Sequence, residues 1–361
     1  MSAPGTSIRG RIARGHLAWS AALVGALALG ALPAATSAAG PLVRFSAIYN
    51  DCGVYGTGPA SKSIKIIWKD SDGSIKHVQT VTSKANGTFG TTCDRDEQVE
   101  RGDIFIAKIG TKSRSFTVPR LGFRIDRVTD EIAGKGPEST TLHLSLPGGG
   151  DDVTTAADGS FSYDASGIVD LIGSQWVAVS YDTASGDIVY RELQVPFVTV
   201  WRGRADIYMK GRPGSMVSVA LGDGPTSHSR SRVECRVGPT GGCWLQFTDD
   251  DGHMVRARTN DHVESDVATD ADFLIPAVSV KGVTSTDVIS GTCLAGESSP
   301  FWFEAYRPAG KGYVSRGGMT TSAGTFSRDV TSKLDLRSGD KIYAECQLPA
   351  GDWVARFITV P

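Results

Sequence analysis

The stretch SAGTFSRDVTSKLDLRSGDKIYAE, residues 322–345, sets a Gly two residues before an aromatic and a Gly-Asp pair fifteen residues after that first Gly. The same shape occurs at 84–108 as KANGTFGTTCDRDEQVERGDIFIAK and, with Gly-Ser fourteen residues on, at 156–180 as AADGSFSYDASGIVDLIGSQWVAVS. A mark that recurs with so few reactive side chains between its parts reads as a folding unit. Gly before the aromatic supplies a left-handed backbone after a turn, and the aromatic then points into a core from the following strand. The later Gly-Asp suits a second turn, where Asp bonds local amides. Alternating strands such as IFIAKI and KIYAEC follow it.

Outward from these marks, the chain divides by its closing prolines. FTVP, LQVP, FLIP and ITVP end at Pro119, Pro196, Pro276 and Pro361, with spacings of 77, 80 and 85 residues. The Gly-x-aromatic step is read at Gly87 and Phe89, Gly159 and Phe161, Gly242 and Trp244, and Gly324 and Phe326. The second Gly is read at Gly102, Gly173 and Gly339; the third segment lacks it. Turn signals such as DSDG at 70–73, PGGG at 147–150 and PAGKG at 308–312 separate short half-buried strands. About seven strands per 80 residues is the density of a β-sandwich. The expected architecture is all-β: a tandem array of small sandwich modules at 40–119, 120–196, 197–276 and 277–361, joined by very short linkers.

The N-terminal 39 residues read as a secretory signal peptide, with Arg9, Arg11 and Arg14, an apolar run at 17–32 and a small-residue site near Ala38 and Ala39. The run is short for a spanning helix, so no membrane span is expected in the mature chain and a secreted, extracellular location is. Removing the signal takes the formal charge from -2 to -5. A mildly acidic chain with dispersed Lys and Arg argues against a nucleic-acid partner, which needs a concentrated basic field. Six cysteines in an exported chain are expected to pair. Of fifteen connectivities, one keeps every bond inside a segment: Cys52–Cys93, Cys235–Cys243 and Cys293–Cys346. The segment 120–196 has none and is expected to melt first in isolation.

On DGSF, GTF and the Gly-Asp corner, the chain resembles the bacterial immunoglobulin-like or fibronectin-like modules of secreted and cell-surface proteins. The resemblance implies a sandwich and a binding or spacing role, and no catalytic residue. Cys52, Trp68 and Cys93 depart from the antibody spacing.

The remaining motifs have structural readings. RGD at 101–103 shares two of its letters with the repeated corner. TDDDGH at 248–253 hints at calcium, but Phe247 stands where a ligand belongs, and Asp250-Asp251-Gly252 reads as a hairpin turn. His77, His143, His228, His253 and His262 have no metal spacing, and no nucleophile elbow or phosphate loop occurs, so no metal, cofactor or catalytic group is expected. A carboxylate pair that meets only in three dimensions leaves no local trace, which keeps a hydrolase as the third class after a binding or adhesion protein and a spacer.

The sharpest ligand-binding candidate is SPFWFEAY at 299–306. If Phe301 and Phe303 face the core, strand alternation sends Trp302, Glu304 and Tyr306 to the outer face, as a flat platform for a sugar ring or a partner's apolar patch. The partner expected is an extracellular protein or a cell-surface glycan. Trp201 and Trp353 read as interface or core residues.

Overall fold

The computed structural model describes residues 43–92, 97–224, 229–268, 270–294, 297–308 and 312–361. Among these, every regular element is a strand, and no helix is long and apolar enough to cross a membrane. The signal-peptide reading and Cys93 lie outside the described residues.

Among the described residues, each of the four sequence segments carries seven strands. Residues 40–119 hold β1 (Arg44–Ile48), β2 (Tyr55–Thr57), β3 (Ser63–Lys69), β4 (Ile75–Thr82), β5 (Thr88–Gly90), β6 (Ile104–Ile109) and β7 (Lys112–Thr117). Residues 120–196 hold β8 (Gly122–Asp126), β9 (Glu131–Lys135), β10 (Thr141–Leu146), β11 (Gly149–Thr154), β12 (Ser160–Asp164), β13 (Trp176–Asp182) and β14 (Ile188–Gln194). Residues 197–276 hold β15 (Phe197–Trp201), β16 (Asp206–Lys210), β17 (Met216–Gly222), β18 (Ser229–Arg236), β19 (Gly242–Gln246), β20 (His262–Ser265) and β21 (Asp272–Leu274). Residues 277–361 hold β22 (Ser279–Val283), β23 (Val288–Thr292), β24 (Pro300–Tyr306), β25 (Tyr313–Met319), β26 (Thr325–Asp329), β27 (Lys341–Gln347) and β28 (Trp353–Thr359).

In every segment the first, second and fifth strands pair with one another, and the fourth, third, sixth and seventh pair in that order. This is the strand order of a fibronectin-type, immunoglobulin-like sandwich. The chain is therefore a tandem array of small sandwiches, but their sheets are not separate. β1 pairs in parallel with β14 (Ser46 opposite Ile188), and β15 pairs in parallel with β28 (Thr199 opposite Trp353). Each parallel ladder fuses a three-stranded sheet to a four-stranded one, giving two seven-stranded sheets. The apolar core follows the same division, with one cluster from Val43 to Val195 and another from Val198 to Val360. Residues 43–196 and 197–361 thus form an N-terminal and a C-terminal pair.

The repeated marks have one physical explanation. At the second turn the left-handed residues are Gly102, Ser174, Asn260 and Gly339, each two residues before the sixth strand. Their amides donate to Val118, Val195, Ile275 and Val360, which immediately precede the closing prolines. The Val-Pro ending and the Gly-Asp corner are thus two sides of one hydrogen-bonded closure. Two readings from the sequence are corrected here. The corner of 120–196 is Ser174, not Gly173, because Gly173 is reserved for a backbone contact described below. The third segment has its corner after all, with Asn260 in place of Gly, since Asn is among the residues that tolerate positive φ.

The first turn also needs one correction. Gly87, Gly159, Gly241 and Gly324 have φ of 83°, 77°, 80° and 74°. In 197–276 the turn residue is Gly241 and not Gly242, so the inward position two residues on is Cys243, and Trp244 points to the opposite face. Phe89, Phe161 and Phe326 are buried and lie opposite Gly56, Gly134 and Gly291 on the second strand. A Cβ at Gly291 would stand 2.2 Å from the Ser279 carbonyl oxygen and 2.7 Å from the Phe326 ring, so the aromatic needs a partner without a side chain.

Disulfides reinforce this frame. Cys235–Cys243 joins β18 to β19, and Cys293–Cys346 joins the residue after β23 to β27, each across the two sheets. The second of these closes 53 residues, worth roughly 4 kcal/mol in the chain-entropy model. Cys52 is disulfide-bonded.

Candidate functional site: the outer face of the C-terminal sheet

The C-terminal seven-stranded sheet runs β19-β16-β15-β28-β27-β24-β25. On β24, Phe301, Phe303 and Ala305 are buried in the core, and alternation places Trp302, Glu304 and Tyr306 on the other face. The ladders extend that face row by row. Trp302 stands opposite Glu345, Glu304 opposite Tyr343, and Tyr306 opposite Tyr313. A further row runs from Gln347 through Trp353, Thr199 and Tyr208 to Trp244.

Aromatic contacts link the middle of the face. Trp201 and Trp244 have ring centroids 5.0 Å apart, Tyr208 and Trp244 4.9 Å, and Trp201 and Tyr343 6.2 Å. Arg204 and Lys341 both lie over the Phe357 ring, at 5.4 and 6.0 Å. Trp201 is buried within this cluster, in keeping with a role in packing.

The surface around Glu304 differs from the flat, exposed platform expected of Trp302, Glu304 and Tyr306. Trp302 and Tyr306 are half-buried and Glu304 is 7 % exposed. Glu304 lies between two tyrosine-bearing strands: the Tyr313 hydroxyl donates to its Oε1 at 3.0 Å from β25, and Tyr343 stands beside it on β27. Trp302 lies down over Gly317, where an added Cβ would come within 2.7 Å of its ring. Tyr313, 53 % exposed, stands at the edge of the sheet on β25. Tyr343 donates to Glu345 Oε2. Burial, then the Glu345 and Glu304 carboxylates, hold the Tyr343 hydroxyl well above its ordinary pKa, so it acts as a neutral donor.

Chemically, aromatic rings in contact beside hydrogen-bonding carboxylates and phenols suit a ligand that offers an apolar face and hydroxyl or amide edges. Glu304 and Glu345 occupy diagonal positions on neighbouring strands of this face.

The other motifs resolve into structure. Asp103 of the RGD tripeptide is 1 % exposed. Its Oδ2 accepts the Trp68 indole N–H, the Glu100 amide and the Lys76 ammonium, so it has no surface to offer an adhesion receptor. In 248–253, Asp249 Oδ1 accepts the Asp251 and His253 amides around Gly252, at φ 81°. Those backbone bonds, led by that of His253, hold the Asp249 carboxyl below the usual range. Asp249, Asp251 and His253 offer ligand atoms within 4.8 Å of one another, among exposed turn residues. His143 is on the polar face of β10, within hydrogen-bond distance of Asp152. His228 lies outside the described residues.

A second Gly-Asp motif escaped the sequence reading. Gly186-Asp187 and Gly351-Asp352 each lie in the turn before the seventh strand, with the Asp nine residues before a closing proline. Asp187 accepts the Phe45 amide at 2.7 Å and Asp352 accepts the Val198 amide at 2.7 Å, so each pins the start of a parallel ladder. The signal was there, at the same offset from Pro196 and Pro361. It was masked because Gly-Asp also marks the other corner.

No family model matches the chain, and no curated protein matches it. Among solved structures, it is similar to a tetra-tandem repeat in the extending region of a large adhesion protein, at 16 % identity over 88 % of this chain and 99 % of that one, with a TM-score of 0.18. A Ca2+-stabilised ice-binding adhesin of an Antarctic bacterium shares 13 % identity over 90 % of this chain and 99 % of that one, at a TM-score of 0.18. The native E. coli alpha-2-macroglobulin shares 9 % over 88 % of this chain and 28 % of that one, also at 0.18. The tandem immunoglobulin-like assignment stands on the chain's own strand order.

Proposed function

We propose that this is an extracellular, non-catalytic binding or adhesion protein whose contact surface is the outer face of the C-terminal sheet around Trp302, Glu304 and Tyr306. One observation carries the reading: half-buried Trp302 and Tyr306 flank the buried Glu304 on the face of β24 opposite Phe301 and Phe303, with tyrosines beside it on both neighbouring strands. The partner is a cell-surface glycan or the apolar patch of another extracellular protein. The reading includes export by the signal peptide at 1–39 and division into modules at 40–119, 120–196, 197–276 and 277–361.

The test is a pull-down of mature protein against glycans, cell-wall material and culture-fluid proteins, beside a Trp302→Ala, Tyr306→Ala variant. Retention of the wild type with loss of at least tenfold in the folded variant is expected, since truncating a Trp or Tyr anchor at the centre of an interface costs about 2 kcal/mol or more. Equal retention of both refutes the site. Release of soluble sugar from the glycans refutes the non-catalytic reading and turns attention to Glu304 and Glu345. A spacer is the second reading, favoured by the interlocking of the two pairs, and retention of neither protein is its expected outcome.

A further inference from the structure

The two pairs lock their parallel ladders with the same aspartate but with cations from different places. In the N-terminal pair, Asp187 is fully buried and its two oxygens take the guanidinium of Arg114, from β7 of the same pair, which also bonds the Val43 carbonyl. In the C-terminal pair the equivalent position, five residues before the closing proline, is Ala271, a small buried side chain. Asp352 is buried too, and its guanidinium is Arg127, from the turn between β8 and β9 of the N-terminal pair. The Arg127 side chain has no exposed surface. It donates to Asp352 Oδ2 at 3.0 Å, Asp270 Oδ1 at 2.5 Å and the Pro196 carbonyl at 2.9 Å.

Backbone contacts surround this ion pair. Gly173 donates to the Ala350 carbonyl at 2.8 Å, and the Gln347 side-chain amide donates to the Gly173 carbonyl and the Ser174 hydroxyl. A Cβ at Gly351 would fall 2.1 Å from the Gly173 nitrogen, so the two turns touch backbone to backbone. The arrangement is not reciprocal. In 277–361 the turn equivalent to Arg127 carries Thr284, three residues before Asp287 as Arg127 is three before Asp130, and both aspartates have positive φ.

We infer that Arg127 is a one-way latch: the N-terminal pair closes its own ladder, while the C-terminal pair depends on the N-terminal pair for the cation that closes the ladder between β15 and β28. A buried carboxylate without its cation is strongly destabilising, so the dependence is energetic as well as geometric.

The test is hydrogen exchange with calorimetry on three full-chain variants. In Arg127→Met, amides at 197–201 and 353–359 exchange about a hundredfold faster or more, while 44–48 and 188–194 keep their protection, and one melting transition becomes two. In Arg114→Met, both pairs lose protection, because the donor of the latch is loosened. The double variant Arg127→Met, Asp352→Asn removes the latch without leaving the buried charge; it regains protection at 197–201 but still melts in two steps. Unchanged exchange at 197–201 in Arg127→Met overturns the inference. So does equal loss in both pairs of that variant, or a single transition in the double variant.

Discussion

Gly291 shows how far a single residue is constrained by what lies opposite it. Its missing side chain is filled by Phe326 from the neighbouring strand, and the Ser279 carbonyl closes the other side. Gly291→Ala is expected to lower stability by about 1–3 kcal/mol in a denaturant titration, the usual cost of overpacking. Gly167→Ala, in open space and without a left-handed backbone, is expected to stay within about 0.5 kcal/mol of wild type. At this scale the sequence was partly legible. The aromatic two residues after a turn glycine announced itself in three segments. The glycine facing it did not, because its role depends on a pairing that no local pattern encodes. In 197–276 the double glycine at 241–242 left the phase open by one residue, and the aromatic Trp244 drew the reading to the wrong side of the strand.

The turn that carries Asp187 shows how a local element holds a long-range ladder. Burial pushes the Asp187 carboxyl up. The Arg114 guanidinium, the Phe45 amide and the Ser185 hydroxyl outweigh it, so it titrates below the usual carboxylate range. A carboxyl with a lowered folded pKa contributes stability that is complete above its unfolded value near 3.9 and fades as pH falls through the folded value. Asp187→Asn, which leaves Arg114 without its anion, is expected to cost about 3 kcal/mol at pH 7. That gap is expected to close as the medium is acidified below about pH 4. Melting curves of both proteins between pH 7 and pH 2 check it, and a gap independent of pH contradicts the role given to the carboxylate. The corner was legible as Gly-Asp at 102–103 and 339–340 because it is local, while Ser174 and Asn260 hid it in the other two segments. The second Gly-Asp bonds an amide 142 residues away and was not legible.

Across the whole molecule, seven strands per segment and the closing prolines were legible from turn spacing and alternation. The fusion of sheets into two pairs, and the latch between the pairs, were not: both depend on contacts between segments, and a parallel ladder leaves no mark at a connecting turn. The candidate face was half legible. Alternation along SPFWFEAY placed Trp302, Glu304 and Tyr306 on one side of β24, but Tyr343, Glu345, Trp353 and Trp244 join them only through the sheet. In the proposed function this face meets the partner. Hydroxyl-radical footprinting, with and without the glycan or protein retained in the pull-down, tests it most directly. Trp302, Tyr306 and Tyr313 are expected to become protected on binding, while Met216 and Met254, both exposed and outside the C-terminal sheet, keep their reactivity. Protection of Met216 or Met254 with Trp302, Tyr306 and Tyr313 unchanged contradicts it.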